Sequence, residues 1–196
     1  PSDEATLREA YEVLLAARVE LHRRSGRRSD VLLLQEQDAV AAALDVADAD
    51  LLMKHVASAA RAIAWTSDLV WHRVQTSRRR RRIFHERPRE VSPGVVLEDR
   101  TVRLADHAPV HDDITLMLRV AAAAASHRAY VDRDTLERLA AHAPCIPEPW
   151  PDEVRWLFTD LLMTGHAAIP VIEAFDQLGL FHRLIPEWEA VRSRPQ

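Results

Sequence analysis

The feature that most constrains this chain is a long apolar repeat with helical spacing between about Asp48 and Ser77. Its apolar residues recur at intervals of three, four and seven and fall on one helical stripe: Leu52, Val56, Ala59, Ile63, Val70 and Val74. Alanines between Ala57 and Ala64 keep the helix thin, so another helix can approach it closely. The pattern predicts a long helix inside an antiparallel helical bundle.

Two further helices are predicted before it. The first runs from about Asp3 to Arg24, with Ser2 or Asp3 as its cap and Gly26 just beyond its end. Its predicted buried stripe consists of Leu7, Tyr11, Leu14, Arg18 and Leu21. A short helix follows from about Gln35 to Leu44.

Arg18 is the most informative residue of the first helix, because the stripe places it inward, with His22 one turn later on the same side. An inward charge needs a partner, which Asp30 or a group on another domain would supply. One interpretation is a phosphate or nucleotide contact, since guanidinium matches phosphate oxygens. The other, which the residues favour, is a buried Arg–Asp strut that holds the bundle.

The pattern changes after residue 77. The segment 78–93 reads as a linker, with five consecutive arginines, Arg78–Arg82, followed by Pro88 and Pro93. The run suggests phosphate binding, but cations also favour a solvated helix end, and the net charge of -4 argues against nucleic acid. After residue 93 the apolar pattern changes to a period of two, which predicts a β-hairpin with strands near Val95–Leu97 and Val102–Leu104. We expect this hairpin to lie against helices.

Helical signals resume after the hairpin. Asp113 is the predicted cap of a helix over about 115–126, and Asp132 that of a helix over about 133–142. Later helices are predicted over about 152–164, 170–178 and 180–185, and from Pro186 onward. The predicted fold is mainly α: a helical bundle (1–77), a linker (78–93), and a β-hairpin with a second helical subdomain (94–196).

The amino-acid composition excludes several classes of protein. Cys145 is the single cysteine, which excludes an internal disulfide framework and a cysteine-based zinc site. No apolar run reaches the roughly 20 residues that a membrane helix needs. We therefore expect a cytoplasmic protein that binds neither nucleic acid nor membrane.

Candidate chemical motifs in the chain are weak. His111-Asp112 resembles the centre of a metal-dependent phosphohydrolase motif, but Asp112-Asp113 also reads as a helix cap. Asp45, Asp48 and Asp50 lack the glycine turn and distal glutamate of a calcium loop. The tryptophans Trp150, Trp156 and Trp188 are predicted core anchors. We therefore predict no catalytic residue and no metal ligand.

Two stretches resemble a known family, the bifunctional protein-PII uridylyltransferase/uridylyl-removing enzymes. The first comprises Arg18-Val-Glu-Leu-His22, Gly26-Arg27, Asp30 and Gln37-Asp-Ala-Val-Ala, similar to a pattern just after the family's nucleotidyltransferase core. The second, more specific stretch runs from Ala174 to Gln196 and is similar to the segment leading into the family's HD domain. The hairpin region at Gly94-Val-Val-Leu is also similar to the family's middle region.

The resemblance implies a parent enzyme that transfers UMP from UTP, or AMP from ATP in some relatives, to the PII signalling protein with Mg. It also implies removal of that group by an HD domain, and glutamine sensing by ACT domains. The family's Gly-Ser motif and metal-binding Asp pair would precede Pro1, and its HD ligands would follow Gln196. We therefore expect an inactive central fragment without a cofactor of its own.

The same resemblance implies that Arg18, His22, Arg27 and Asp30 lie at the face toward the nucleotidyltransferase core. There they would contact nucleotide or, as the favoured interpretation, brace the domain junction. The alternative for the whole chain is an autonomous helical adaptor that binds a partner protein through an exposed groove.

Overall fold

The computed structural model describes residues 3–26, 28–80 and 87–192. Within these ranges the helices are α1 (Asp3–Ser25), α2 (Leu34–Ala43), α3 (Ala49–Arg80), α4 (Leu116–Ser126), α5 (Arg133–His142), α6 (Asp152–Met163), α7 (Ile169–Gln177), α8 (Leu180–Leu184) and α9 (Trp188–Val191). The strands are β1 (Arg89–Ser92), β2 (Val95–Glu98), β3 (Thr101–Leu104) and β4 (Tyr130–Val131). The predicted class, mainly α with a short hairpin, is confirmed.

The chain divides into two compact units, which we describe separately. The first contains the described residues up to Arg73 together with Glu187 to Arg192, and the second runs from Val74 to Pro186. The division falls within α3. The predicted boundaries at residues 77 and 93 stay predictions.

The first unit has a small apolar core. Leu21 of α1, Val40 and Ala41 of α2 and Leu52 of α3 are almost fully buried, with Leu32, Leu44, Val46 and Val56 packed against them. Asp48 begins α3 as predicted, since its carboxylate accepts a hydrogen bond from the Leu51 amide at 2.7 Å. The predicted α3 stripe holds at Leu52 and Ala59, but it is wrong at Val70 and Val74, which are exposed.

The buried face of α1 differs from the prediction. Ala10, Ala17 and Leu21 are buried, whereas Tyr11 is 57% exposed and Arg18 also faces solvent. The predicted inward position of Arg18 is therefore wrong. Two positions of the stripe shift by one residue, from Tyr11 to Ala10 and from Arg18 to Ala17, whereas Leu21 is buried as predicted.

The second unit is built around a four-stranded sheet of order β1-β2-β3-β4. The predicted hairpin is confirmed as antiparallel β2 and β3, with Val95 opposite Leu104 and Glu98 opposite Thr101. Strand β1 lies in the segment interpreted as a linker and was missed, because Arg89 and Glu90 are exposed and a register shift between Glu90 and Ser92 interrupts its alternation. Strand β4 joins β3 in parallel.

The hairpin turn is a two-residue connection at Asp99 and Arg100, both with positive φ, 48° and 63°. This geometry matches the right-handed twist of the flanking strands. Arginine is unusual in the left-handed region, and here its guanidinium donates a hydrogen bond to the Arg128 carbonyl at 3.0 Å. The turn is thereby tied to the segment that leads into β4.

Helix α4 is the centre of the second unit. Seven of its 11 residues are buried, and it contacts all four strands as well as α6 and α7. Both ends of helix α5 are stabilised by side-chain hydrogen bonds. At its start the Asp132 carboxylate accepts a hydrogen bond from the Thr135 amide, as predicted. At its end the Arg183 guanidinium donates hydrogen bonds to the carbonyls of Ala140 and Ala143. No helix in the described ranges is long and apolar enough to cross a membrane.

The Arg78–Arg82 run lies partly outside the described residues. Helix α3 continues through Arg80, and residues 81–86 are not described. The interpretation of the run as a solvated helix end stays a prediction.

A buried side-chain contact between β3 and α5 yields a stability prediction. The Thr135 hydroxyl accepts a hydrogen bond from the Leu104 amide at 3.0 Å, and Thr135 is 1% exposed. Thr135→Val leaves that amide without an acceptor and should lower the free energy of unfolding by about 1–3 kcal/mol. Chemical denaturation measures this, with Thr159→Val as control because its hydroxyl is exposed on α6. Equal effects of the two substitutions would contradict the assignment.

Candidate functional site

The C-terminal half of α1 and the connector after it bring together three of the four predicted site residues. The Arg18 Nε lies 2.9 Å from Asp30 Oδ1, and its Nη2 donates to Asp30 Oδ2 at 3.2 Å. The His22 Nε2 lies 3.5 Å from Asp30 Oδ1. Arg27, the fourth residue, lies outside the described residues. We call Arg18, His22 and Asp30 the α1 polar cluster.

The local backbone explains why the cluster forms. Arg18 and His22 are one helical turn apart and project from the same side of α1. Gly26 then adopts a φ of +62°, and its amide donates to the His22 carbonyl at 3.1 Å, which ends the helix. Residues after this reversal return along α1, so that Asp30 reaches Arg18. The Ser29 carbonyl accepts from His22 Nε2 at 3.1 Å, which places a proton on that nitrogen.

Solvent exposure decides what this cluster contributes to stability. The side chains of Arg18 and Asp30 are 56% and 64% exposed. The predicted pairing is present, but the predicted burial is wrong. An exposed ion pair contributes only about 0–1 kcal/mol, even with two parallel hydrogen bonds. The cluster therefore does not hold the first unit together by itself.

Exposed apolar side chains surround the cluster. Tyr11, Leu15 and Val19 repeat at intervals of four on the side of α1 that also carries Arg18 and His22. Just beyond Asp30 the chain exposes Val31, Leu33 and Leu34, the last at 80%. Large exposed apolar patches mark interaction sites, which makes these residues candidates for one. We call these six residues with the polar cluster the α1 face.

Metal-ligating side chains do not cluster in the described residues. No group of three or more His, Cys, Asp or Glu side chains in these ranges could hold a metal ion. The His111 ring lies against the His142 ring, with centroids 4.6 Å apart, rather than in a ligand cluster.

A second polar cluster, in the second unit, was only half predicted. Asp113 was predicted to cap α4, but the N-cap is Thr115 and no side chain caps it. Asp113 instead accepts hydrogen bonds from the amide and hydroxyl of Thr115, at 2.8 and 2.7 Å. Arg119, which the sequence did not single out, adds an ion pair at 2.6 Å, with both side chains largely buried. The six-residue separation is not a helical spacing, so periodicity does not reveal this pair.

These partners act on the acidity of Asp113. Burial alone would raise the pKa of its carboxyl, but the hydrogen bonds from Thr115 and Arg119 and the Arg119 charge outweigh that effect. The pKa of Asp113 therefore lies below its usual value of 3.8.

The three tryptophans predicted as core anchors differ in their burial. The Trp150 ring packs edge-on against Phe158 with centroids 5.4 Å apart, and Trp188 is half-buried. Trp156 is 67% exposed on α6, so its predicted core position is wrong.

Comparisons with known proteins identify what the chain is similar to. A family model described as GlnD PII-uridylyltransferase matches residues 1–71. A bifunctional uridylyltransferase/uridylyl-removing enzyme of Streptomyces coelicolor is 42% identical over 97% of this chain and 25% of its own length. Enzymes of that name from Mycobacterium tuberculosis and Corynebacterium glutamicum are 40% and 34% identical over 95% and 93% of this chain, and over 24% and 26% of their own lengths. No solved structure matches the chain significantly.

The lowered pKa of Asp113 gives a pH-dependent prediction. Asp113→Asn should lower the free energy of unfolding at pH 7 by about 1–3 kcal/mol, because it removes the charge from hydrogen bonds with Thr115 and Arg119. A depressed folded-state pKa stabilises the fold above the unfolded pKa, and the gain is lost as pH falls through the folded value. The difference between the variant and the parent should therefore shrink below pH 3.8. Denaturation at pH 7 and pH 3 measures it, and a difference that is independent of pH would contradict the assignment.

Proposed function

Because this chain belongs to the family of bifunctional uridylyltransferase/uridylyl-removing enzymes, we propose that it is a non-catalytic helical scaffold within a longer enzyme. The chain spans about a quarter of the length of its curated relatives. In this proposal it connects a nucleotidyltransferase domain to an HD hydrolase domain. The longer enzyme adds UMP or AMP to the PII signalling protein and removes it again.

The observation that carries the proposal is the extent of the match. Similarity covers 97% of this chain but 25% of the Streptomyces relative, so these two helical units correspond to one stretch of a much larger protein. Within the described residues no group of three or more His, Cys, Asp or Glu side chains is placed to hold a metal ion. Nucleotidyl transfer depends on metal-held phosphates and an aligned nucleophile. Mg and UTP, or ATP, would therefore bind elsewhere in the longer enzyme.

Within this proposal the α1 face braces the junction with the nucleotidyltransferase domain. A covering domain would bury the exposed apolar side chains of α1 and the connector, which is favourable in water. It would also remove water from the Arg18–Asp30 pair, whose planar two-bond geometry then fixes orientation as well as attraction.

The alternative role of Arg18, a direct nucleotide contact, is less favoured by the geometry. Its guanidinium already uses Nε and Nη2 on Asp30. A phosphate would have to compete with that carboxylate for the same donors. Bracing needs no such exchange.

An autonomous adaptor is the competing function, and the same exposed apolar face favours it. The scaffold and the adaptor predict different natural reading frames around these residues. The scaffold requires a frame that continues into nucleotidyltransferase and HD motifs, whereas an adaptor requires a frame confined to these residues. Sequencing the flanking DNA separates them.

The first functional prediction concerns the isolated chain. It should transfer no nucleotidyl group to PII from UTP or ATP, with or without Mg, because it supplies no metal-held phosphate site in its described residues. Incubation with labelled nucleotide and PII measures this, and the full-length enzyme is the positive control. Robust Mg-dependent labelling by the pure chain would overturn the proposal of a non-catalytic scaffold.

The second prediction concerns the α1 face in the full-length enzyme. Arg18→Ala should lower the melting temperature and slow nucleotidyl transfer, because it leaves Asp30 without its partner at a covered junction. The matched control is Arg8→Ala, which removes an exposed ion pair with Glu4 on the same helix and should change neither quantity.

The outcome also separates the two roles of Arg18. A raised KM for nucleotide with an unchanged melting temperature would favour direct nucleotide contact over bracing. Unchanged kinetics together with an unchanged melting temperature would exclude both roles.

A further inference from the structure

A groove in the second unit lies between α4 and α6, beside β1. Its volume is about 430 Å³. Strand β1 contributes Val91 and Ser92 to it. The helices contribute small, apolar and polar side chains: Arg119, Ala122, Ala123, Ser126 and His127 from α4, and Leu157, Asp160, Met163 and the following Thr164 from α6. We call it the α4–α6 groove.

The charges of the groove favour a cationic group over an anion as its occupant. The Arg119 guanidinium is already engaged by the Asp113 carboxylate, the Thr115 hydroxyl and the Pro93 carbonyl, and its side chain is 12% exposed. Asp160 is exposed and carries no hydrogen bond or ion pair within the described ranges. The Asp160 carboxylate is therefore the charged group open to a ligand, with the exposed His127 imidazole also in the lining.

The face of α6 that carries Asp160 adds an aromatic and an aliphatic side chain to this charge. Trp156, Asp160 and Met163 follow one another at spacings of four and three on α6, so they share a helical face. Trp156 is 67% exposed and Met163 is 80% exposed. A carboxylate beside an open indole suits a guanidinium, which stacks on the ring and pairs with the acid. A neighbouring methionine and small alanines suit an apolar side chain.

We propose that the α4–α6 groove receives a segment of the same longer polypeptide, outside these 196 residues, that presents an arginine beside an apolar side chain. The chain spans about a quarter of its relatives' length, so most of such a protein lies outside it. A free partner needs roughly 1,000 Å² of buried surface, more than so small a groove supplies. A tethered segment binds a small groove effectively, because the linker keeps its local concentration high.

This inference rests on the proposed place of the chain in a longer protein, but not on the α1 face or on any catalytic step. The experiment uses full-length protein and reads the accessibility of Met163 by oxidative footprinting and mass spectrometry. Met117 of α4, 3% exposed, is an internal reference for an intact second unit.

In the full-length protein Met163 should oxidise nearly as slowly as Met117, although it is open in the chain described above. Asp160→Lys should raise the Met163 oxidation rate several-fold and leave Met117 protected, because the new cation repels the arginine. Asp160→Glu should retain protection. The matched control is Asp106→Lys, the same charge change at an exposed loop position that does not line the groove, and it should have no effect.

Four results would overturn the proposal. The first two are fast oxidation of Met163 in the unsubstituted protein and protection of Met163 that survives Asp160→Lys. The third is protection of Met163 that is lost on dilution, which indicates a second copy of the protein as the occupant. The fourth is protection of Met163 that appears only after a partner protein is added. The proposed scaffold function is judged separately by the Arg18→Ala experiment, so failure of one does not imply failure of the other.

Discussion

The structure of the second unit depends on the nearly complete burial of α4. Leu118, Val120 and Ala124 are each 0% exposed, so the helix is covered on more than one side. Each large aliphatic side chain buried in this way contributes about 1.5–3 kcal/mol. A hairpin of two strands is marginal in water, and β2 and β3 persist because Val95, Leu97, Val102 and Leu104 bury against this helix. Alanines at Ala121, Ala124 and Ala125 allow the sheet and α6 to come close.

The first unit differs from the second in what it buries and what it exposes. Its core is small, and the polar cluster that the chain brings together faces water rather than the interior. Charges and apolar side chains are thus exposed side by side on one face of α1. Such a surface is costly for an isolated domain and ordinary for a part of a larger assembly, which agrees with the chain's share of its relatives' length. The α4–α6 groove of the second unit has the same mixture of an open acid and open apolar side chains.

Sequence reasoning located most of the helices because each is defined by local signals. Gly26 and Gly179 stand at positive φ just beyond the ends of α1 and α7, and Asp48 and Asp132 cap α3 and α5. These residues act on their own backbone neighbours, so spacing alone identifies them. The hairpin was found for the same reason, since the alternation of apolar and polar residues is local, although its turn is shorter than the four residues that the sequence left between the strands. Strand β1 was missed because its pairing is irregular and half of it faces solvent.

The candidate site was predictable as a set of residues but not as a surface. The sequence singled out Arg18, His22 and Asp30, and these three side chains do lie together. The apolar stripe, however, wrongly placed Arg18 and Tyr11 in the interior, and residue type wrongly placed Trp156 there. Hydrophobic periodicity measures how apolar a position is, whereas burial depends on how near the next element comes. The sequence by itself determined the mainly helical class, the helix ends, the hairpin and the family resemblance, because these rest on local geometry and residue identity. Only the tertiary structure decided which helical face is buried, how Arg119 reaches Asp113 and where the open groove lies, because these depend on packing between segments distant in the chain.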